Sequence, residues 1–113
     1  MIIKKGDIFL ANLNPAVGQE MQKTRPVIIV SNNMNNTHAG TVTVVPVTSQ
    51  KLSKIYPFEV LLPESTDGLM KNSKAKVDQI RTIDKSRLTK KLASIDSKTI
   101  SELNHAIAVH LDL

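Results

Sequence analysis

Apolar residues recur with strand-like spacing through most of the chain and change to a helical spacing only near its C-terminal end. The segment DIFLANL, Asp7 to Leu13, predicts a strand preceded by a turn at Gly6 and stopped by Asn14-Pro15. PVIIVS, Pro26 to Ser31, is almost continuously apolar, which predicts a strand buried on both faces. Pro26 fits its first position, where a missing N–H costs least. The Asn-rich stretch NNMNNTHAG, Asn32 to Gly40, reads as a loop. TVTVVPVTS, Thr41 to Ser49, returns to β-branched residues and predicts a third strand, with Pro46 interrupting its ladder or lying near an edge.

YPFEVLL, Tyr56 to Leu62, is the next strand candidate, and Pro63 to Gly68 reads as a turn. Beyond it, Ala75 and Val77 alternate with Lys74, Lys76 and Asp78, so the charged residues share the face opposite the apolar ones. A short helical or irregular turn around Ile83 to Leu88 leads into a last strand within Leu88 to Ile95. Ile100, Leu103, Ile107 and Leu111 then recur at spacings of three and four, predicting a helix from Ser97 to Val109 capped by Asp96 or Ser97. Such a helix covers the sheet or joins an oligomer interface. With no repeat or linker-like tract, the 113 residues suit one domain spanning 1–113.

Composition sharpens the class. The chain is 41% hydrophobic but only 3% aromatic and has no Trp, so Val, Ile and Leu must build the core, and these favour strands. A net charge of +5 favours encounter with an anionic partner such as RNA, DNA or an acidic protein segment, and also serves solubility. The absence of Cys excludes disulfides, thiol nucleophiles and thiolate metal sites. MIIKKGD is not a signal peptide, and no run approaches the roughly 20 apolar residues of a membrane span, so the expected location is the cytoplasm, away from the membrane.

The three His residues, His38, His105 and His110, lack metal-ligand spacing, and neither a dinucleotide fingerprint nor a Walker loop occurs. A different inventory stands out: Glu20 and Arg25 in GQEMQKTRP, Thr48 and Ser49 after the third strand, and Lys76, Asp78 and Arg81 around KVDQIRT. Arg binds phosphate through its planar fork, a Thr hydroxyl donates to a nonbridging oxygen, and a carboxylate accepts a proton. Such an inventory can support metal-free RNA cleavage, because RNA carries its own 2′-OH nucleophile. The competing reading is structural: Glu20 pairing with Lys23 or Arg25, Arg25 ending a sheet, Thr48 satisfying a turn, and Asp78 bridging Arg81.

KKGDIFLANLNPAVGQE, TRPVIIVSN, VVPVTS, YPFEV and VDQIRTIDKSRL occur in an order and spacing that resemble the MazF/PemK (Kid-like) toxins of bacterial toxin–antitoxin systems over nearly the full length. The resemblance implies a mainly β fold: a small SH3-like barrel with a strongly curved antiparallel sheet and a C-terminal α-helix, assembled as a homodimer. It implies a sequence-specific, ribosome-independent endoribonuclease that cleaves single-stranded mRNA without cofactor or metal, leaving 2′,3′-cyclic phosphate and 5′-OH ends. By position in the motifs, Arg25, Thr48 and Glu20 are the implied catalytic residues. Gln19, Lys23, Asn32, Ser49, Gln50, Lys54, Lys76, Asp78 and Arg81 are the expected RNA contacts. A cognate antitoxin with a flexible acidic C-terminal segment is the implied partner. Two departures stand out: Lys76 occupies a place held by Arg in one branch, and Met21-Gln22-Lys23 replaces a smaller, often Gly-containing segment. The alternative is a noncatalytic toxin of the related fold that binds gyrase.

Overall fold

The computed structural model describes residues 1–62 and 71–113, so the turn expected at Pro63 to Gly68 lies outside the described residues. Strands β1 (Asp7–Asn12), β2 (Thr24–Ile29) and β3 (Thr41–Thr48) form an antiparallel group, with the short helix α1 (Asn33–His38) between β2 and β3. β4 (Glu59–Leu62), β5 (Ser73–Lys76), β6 (Arg81–Asp84), β7 (Leu88–Ser94) and the helix α2 (Ser97–Leu111) follow.

The strands pair in the order β4-β5-β3-β2-β1-β7, with β6 on β3 as well. β3 serves two partners on one edge: Thr41 to Val44 face β6, and Val47 and Thr48 face β5. The gap between the two ladders falls at Val45 and Pro46, where the sequence predicts an interruption, and a 3₁₀ turn at Val77–Gln79 joins β5 to β6 across it. That turn puts Asp78 and Gln79 beside the middle of the sheet.

The expected SH3-like barrel is not formed. β4 and β7 end the pairing path and are not paired with each other among the described residues, so the sheet is open rather than closed or strongly curved. Closure demands end strands that meet with matched tilt and stagger. Here β4 is four residues long and packs beside α2, while β7 pairs with β1 through a ladder broken by two register shifts.

Alternation along the strands divides the core between the two faces. Ile8, Ile28, Val45, Val47, Val60 and Ala75 pack with Leu103 and Ala106 of α2. Phe9, Ala11, Val27, Ile29, Val42 and Val44 form the second cluster with Ile83 and Leu88. The helical stripe is thus anchored mainly by Leu103 and Ala106, while Leu111 at its end is exposed. Asp96 caps α2, accepting from Thr99 N–H at 2.8 Å.

A further correction concerns the Asn-rich stretch read as a loop. Asn32 Oδ1 accepts from Asn35 N–H at 2.8 Å, and the buried Asn36 side chain donates to Ser31 O at 2.8 Å. The same side-chain hydrogen bonding that makes Asn a turn residue here caps and anchors one helical turn. Arg81–Asp84 is likewise a strand, where the sequence pattern predicts none.

Candidate active site

The β1–β2 connection carries Gln19, Glu20 and Lys23 and is tied down by groups far away in the chain. Gln79, in the 3₁₀ turn, accepts from Met21 N–H at 3.0 Å and donates its side-chain amide to Gln19 O at 3.3 Å. These two bonds bracket Glu20. The Glu20 carboxylate accepts from Val17 N–H at 2.6 Å, which closes a local turn and leaves it unpaired with either Lys23 or Arg25. Arg81 Nη1 donates to Leu13 O at 3.2 Å, so Arg81 supports the start of the connection instead of bridging Asp78.

Below this connection lies an open groove of about 360 Å³, walled by Gln19, Glu20, Arg25, Thr48, Gln50 and Lys76, with Met21, Gln22, Lys51 and Lys74 also contributing. Arg25 is half-buried at the start of β2. Its Nε donates to Gln22 O at 2.8 Å, and among the described residues its two terminal amino groups have no hydrogen-bond or carboxylate partner. Thr48 ends β3, where its Oγ1 accepts from Gln50 N–H at 3.2 Å and keeps its own O–H available to donate. A second hollow of about 370 Å³ shares Gln19 and Glu20 and is lined by Asp78, Gln79, Ile80 and Arg81. Glu20 therefore stands at the wall between two concavities.

Lys74 and Lys76 of the first groove belong to a charge cluster built on Glu59, which itself lines a separate hollow of about 540 Å³ beside Ser101, His105 and Ala106 of α2. Glu59 opposes Lys76 across the β4–β5 ladder, and Lys74 lies two residues along β5 on the same face. Glu59 Oε1 accepts from Lys74 Nζ at 3.0 Å and from Tyr56 N–H at 3.0 Å, and Oε2 accepts from Lys76 Nζ at 2.9 Å. The Glu59 side chain is fully buried. Burial pushes its carboxyl upward, but the Tyr56 N–H and the Lys76 and Lys74 ammonium groups outweigh this and hold it below the ordinary carboxylate value. Lys76 shows the mirror image: burial lowers it, while Glu59 and Asp78 more than reverse the effect and raise it. Asp78 Oδ1 is buried without a hydrogen-bond partner among the described residues, yet it lies 3.5 Å from Lys76 Nζ, close enough for an ion pair.

Of the residues expected from sequence, the structure brings Arg25, Thr48, Glu20, Gln19, Gln50 and Lys76 to one groove and Asp78 and Arg81 to its neighbour. It does not bring Lys23, Asn32, Ser49 or Lys54 to either. Asn32 is occupied as the α1 cap, and Lys54 places its ammonium 4.8 Å from the Tyr56 ring centroid while its carbonyl accepts from Lys74 Nζ at 3.1 Å. Lys74, Glu59 and Gln79 are the additions. The period-two charge pattern of β5 signals Lys74, whereas nothing in the sequence signals Glu59 or Gln79. Among the described residues no group of three or more His, Asp or Glu could hold a metal ion.

An open β-sheet backed by the C-terminal helix, with a cation-rich groove presenting a guanidinium fork and a free hydroxyl, defines a small β protein whose groove is chemically suited to an anion. Residues 4–111 match the family described as PemK-like, MazF-like toxin of type II toxin–antitoxin system. The chain is 39% identical to endoribonuclease MazF9 of Mycobacterium tuberculosis, covering 99% of this chain and 98% of the relative. It is 34% identical to endoribonuclease EndoA of Bacillus subtilis, covering 100% and 97%. Among solved structures, MazF from Deinococcus radiodurans superposes with a TM-score of 0.86 at 28% identity, covering 100% of this chain and 99% of that one. The chain belongs to the PemK-like, MazF-like toxin family.

Proposed function

We propose that this chain is a sequence-specific, ribosome-independent endoribonuclease toxin that cleaves single-stranded mRNA and acts as one domain over residues 1–113. Family membership supports the activity, and the shared groove of Arg25, Thr48 and Glu20 is the observation that carries the site. The RNA 2′-oxygen attacks the adjacent phosphorus; a P–O2′ bond forms and the P–O5′ bond breaks. The products are a 2′,3′-cyclic phosphate and a 5′-hydroxyl. The free ends of the Arg25 fork bind the nonbridging oxygens and stabilise the charge that builds on them. Thr48 donates a further hydrogen bond to the phosphate, Glu20 accepts the proton released by the 2′-OH, and the leaving 5′-oxygen takes its proton from solvent water in the open groove, the Glu20 proton returning to solvent afterwards. Gln19, Gln50, Lys76, Asp78 and Arg81 line the path of the strand on either side of Glu20.

The chain acts as a homodimer in the cytoplasm, and its antitoxin is a protein whose flexible acidic segment covers the basic groove. One similar solved structure is an endoribonuclease in complex with its cognate antitoxin from a mycobacterial species, at 27% identity and a TM-score of 0.81. No helix among the described residues is long and apolar enough to cross a membrane.

Incubating purified, antitoxin-free protein with a randomised single-stranded RNA pool in EDTA, then mapping the ends, tests the activity and its chemistry together. Cleavage leaving cyclic phosphate ends is expected. Intact RNA in the presence of folded protein, or gyrase inhibition that survives loss of Arg25, would overturn the reading.

A further inference from the structure

Glu59 carries the fully buried carboxylate that pairs with two lysines of the groove, Lys74 and Lys76, without itself lining that groove. Its side chain is 0% exposed, whereas that of Lys76 is 24% exposed. One oxygen is committed to Lys74 and to Tyr56 N–H, and the other to Lys76 Nζ. An ammonium has three donors, so the 2.9 Å bond to Glu59 and the longer 3.5 Å ion pair with Asp78 still leave Lys76 a donor for the groove it lines with Arg25 and Thr48. An untethered lysine is a flexible point charge that must be immobilised each time it binds phosphate, whereas a held one has already lost that freedom. Lys74, only 4% exposed and shared between Glu59 and Lys54 O, fixes the other side of the carboxylate. Glu59 therefore cannot follow Lys76 if Lys76 moves.

We propose that Glu59 is a positioning residue for RNA binding, holding the Lys76 ammonium in the groove as a preorganised phosphate contact. The inference rests on the RNA-cleaving reading of the groove and assigns no chemical step to Glu59. It also makes a prediction opposite in sign to that of simple charge counting. Removing an anion from behind the two groove lysines raises the net positive charge there, which by itself tightens RNA binding. Loss of the tether weakens it. Glu59→Gln keeps the size and one acceptor but turns a donor toward one of the two ammonium groups, so both cannot remain in place.

The test is the salt dependence of binding to a short single-stranded RNA that carries the mapped cleavage site with a 2′-O-methyl group at the attacking position. Glu59→Gln is expected to bind about tenfold more weakly than the wild type at low salt, as for loss of a charge-assisted hydrogen bond. The slope of log affinity against log salt should become shallower by about 0.7, the change for one lost phosphate contact on a single strand. Lys76→Met should give the same slope, and the double variant should resemble either single one. A merely structural role for Glu59 would reduce the fraction of active protein and leave the slope unmoved. Tighter binding by folded Glu59→Gln, or an unchanged slope, overturns the proposal. Should Glu59→Gln not fold, Lys76→Met decides: an unchanged slope there removes the contact that Glu59 is said to position. Failure of the wild type to bind RNA at all would overturn the functional reading itself, a result distinct from wild-type binding with unaffected variants.

Discussion

Arg25→Ala is expected to separate chemistry from folding at the residue to which the proposed site assigns the scissile phosphate. The side chain is half-buried and makes one hydrogen bond, Nε to Gln22 O at 2.8 Å. Its loss should cost about 0.5–1.5 kcal/mol of stability, the ordinary net worth of such a bond. If both free ends of the fork hold the phosphate as negative charge accumulates, removing them costs about 3–4 kcal/mol of transition-state stabilisation, or roughly 10²–10³ in rate. The two magnitudes differ enough to be told apart. Arg25→Lys is the sharper companion: it keeps the charge but loses both the Nε anchor and the planar fork, and should recover binding more than turnover. Single-turnover cleavage of an RNA with a mapped site, set beside thermal melts of the same preparations, measures both quantities. A folded Arg25→Ala protein cleaving within about threefold of the wild-type rate would remove Arg25 from the phosphate site. So would a rate loss that tracks lost structure across the variants.

Gln79→Ala removes both bonds that bracket Glu20, and the β1–β2 connection should loosen; cleavage-end mapping is expected to show a broadened sequence preference, with thermal stability lowered by about 1–2 kcal/mol. Glu59 is held below its ordinary value of 4.5, so its contribution to stability is complete above that pH and is lost as the pH falls through its lowered folded value. Urea titrations across the acid range should show this limb in the wild type and lose it in Glu59→Gln. Gly6 has φ +93°, and a Cβ there would lie 2.9 Å from Ile100 Cδ1, so Gly6→Ala should lower stability by about 1–3 kcal/mol, read from the urea midpoint at unchanged m.

Much of the fold is legible along the chain because its causes are local. The period-two runs of β1, β2 and β3 and the three-and-four spacing of α2 follow from which faces must be buried. Arg25 and Glu20 are readable for the same reason, as they stand five positions apart where the β1–β2 connection enters β2. Asn32 shows where local reading stops: an Asn-rich stretch is equally a loop or a capped helical turn until the Asn32–Asn35 and Asn36–Ser31 hydrogen bonds choose between them.

Local sequence determined strands β1 to β3, the two-faced burial of β2, the apolar stripe of α2, and the residue types from which the proposed phosphate site is assembled. Tertiary structure alone decided that the sheet stays open, that Gln79 reaches 58 residues back to Met21, and that Glu59 lies under Lys74 and Lys76. The physical reason is the range of the interactions. Periodicity records burial within one element, but strand order, edge closure and a buried carboxylate's choice of ammonium partners depend on which distant strands meet and in what register. No single stretch of chain carries that information.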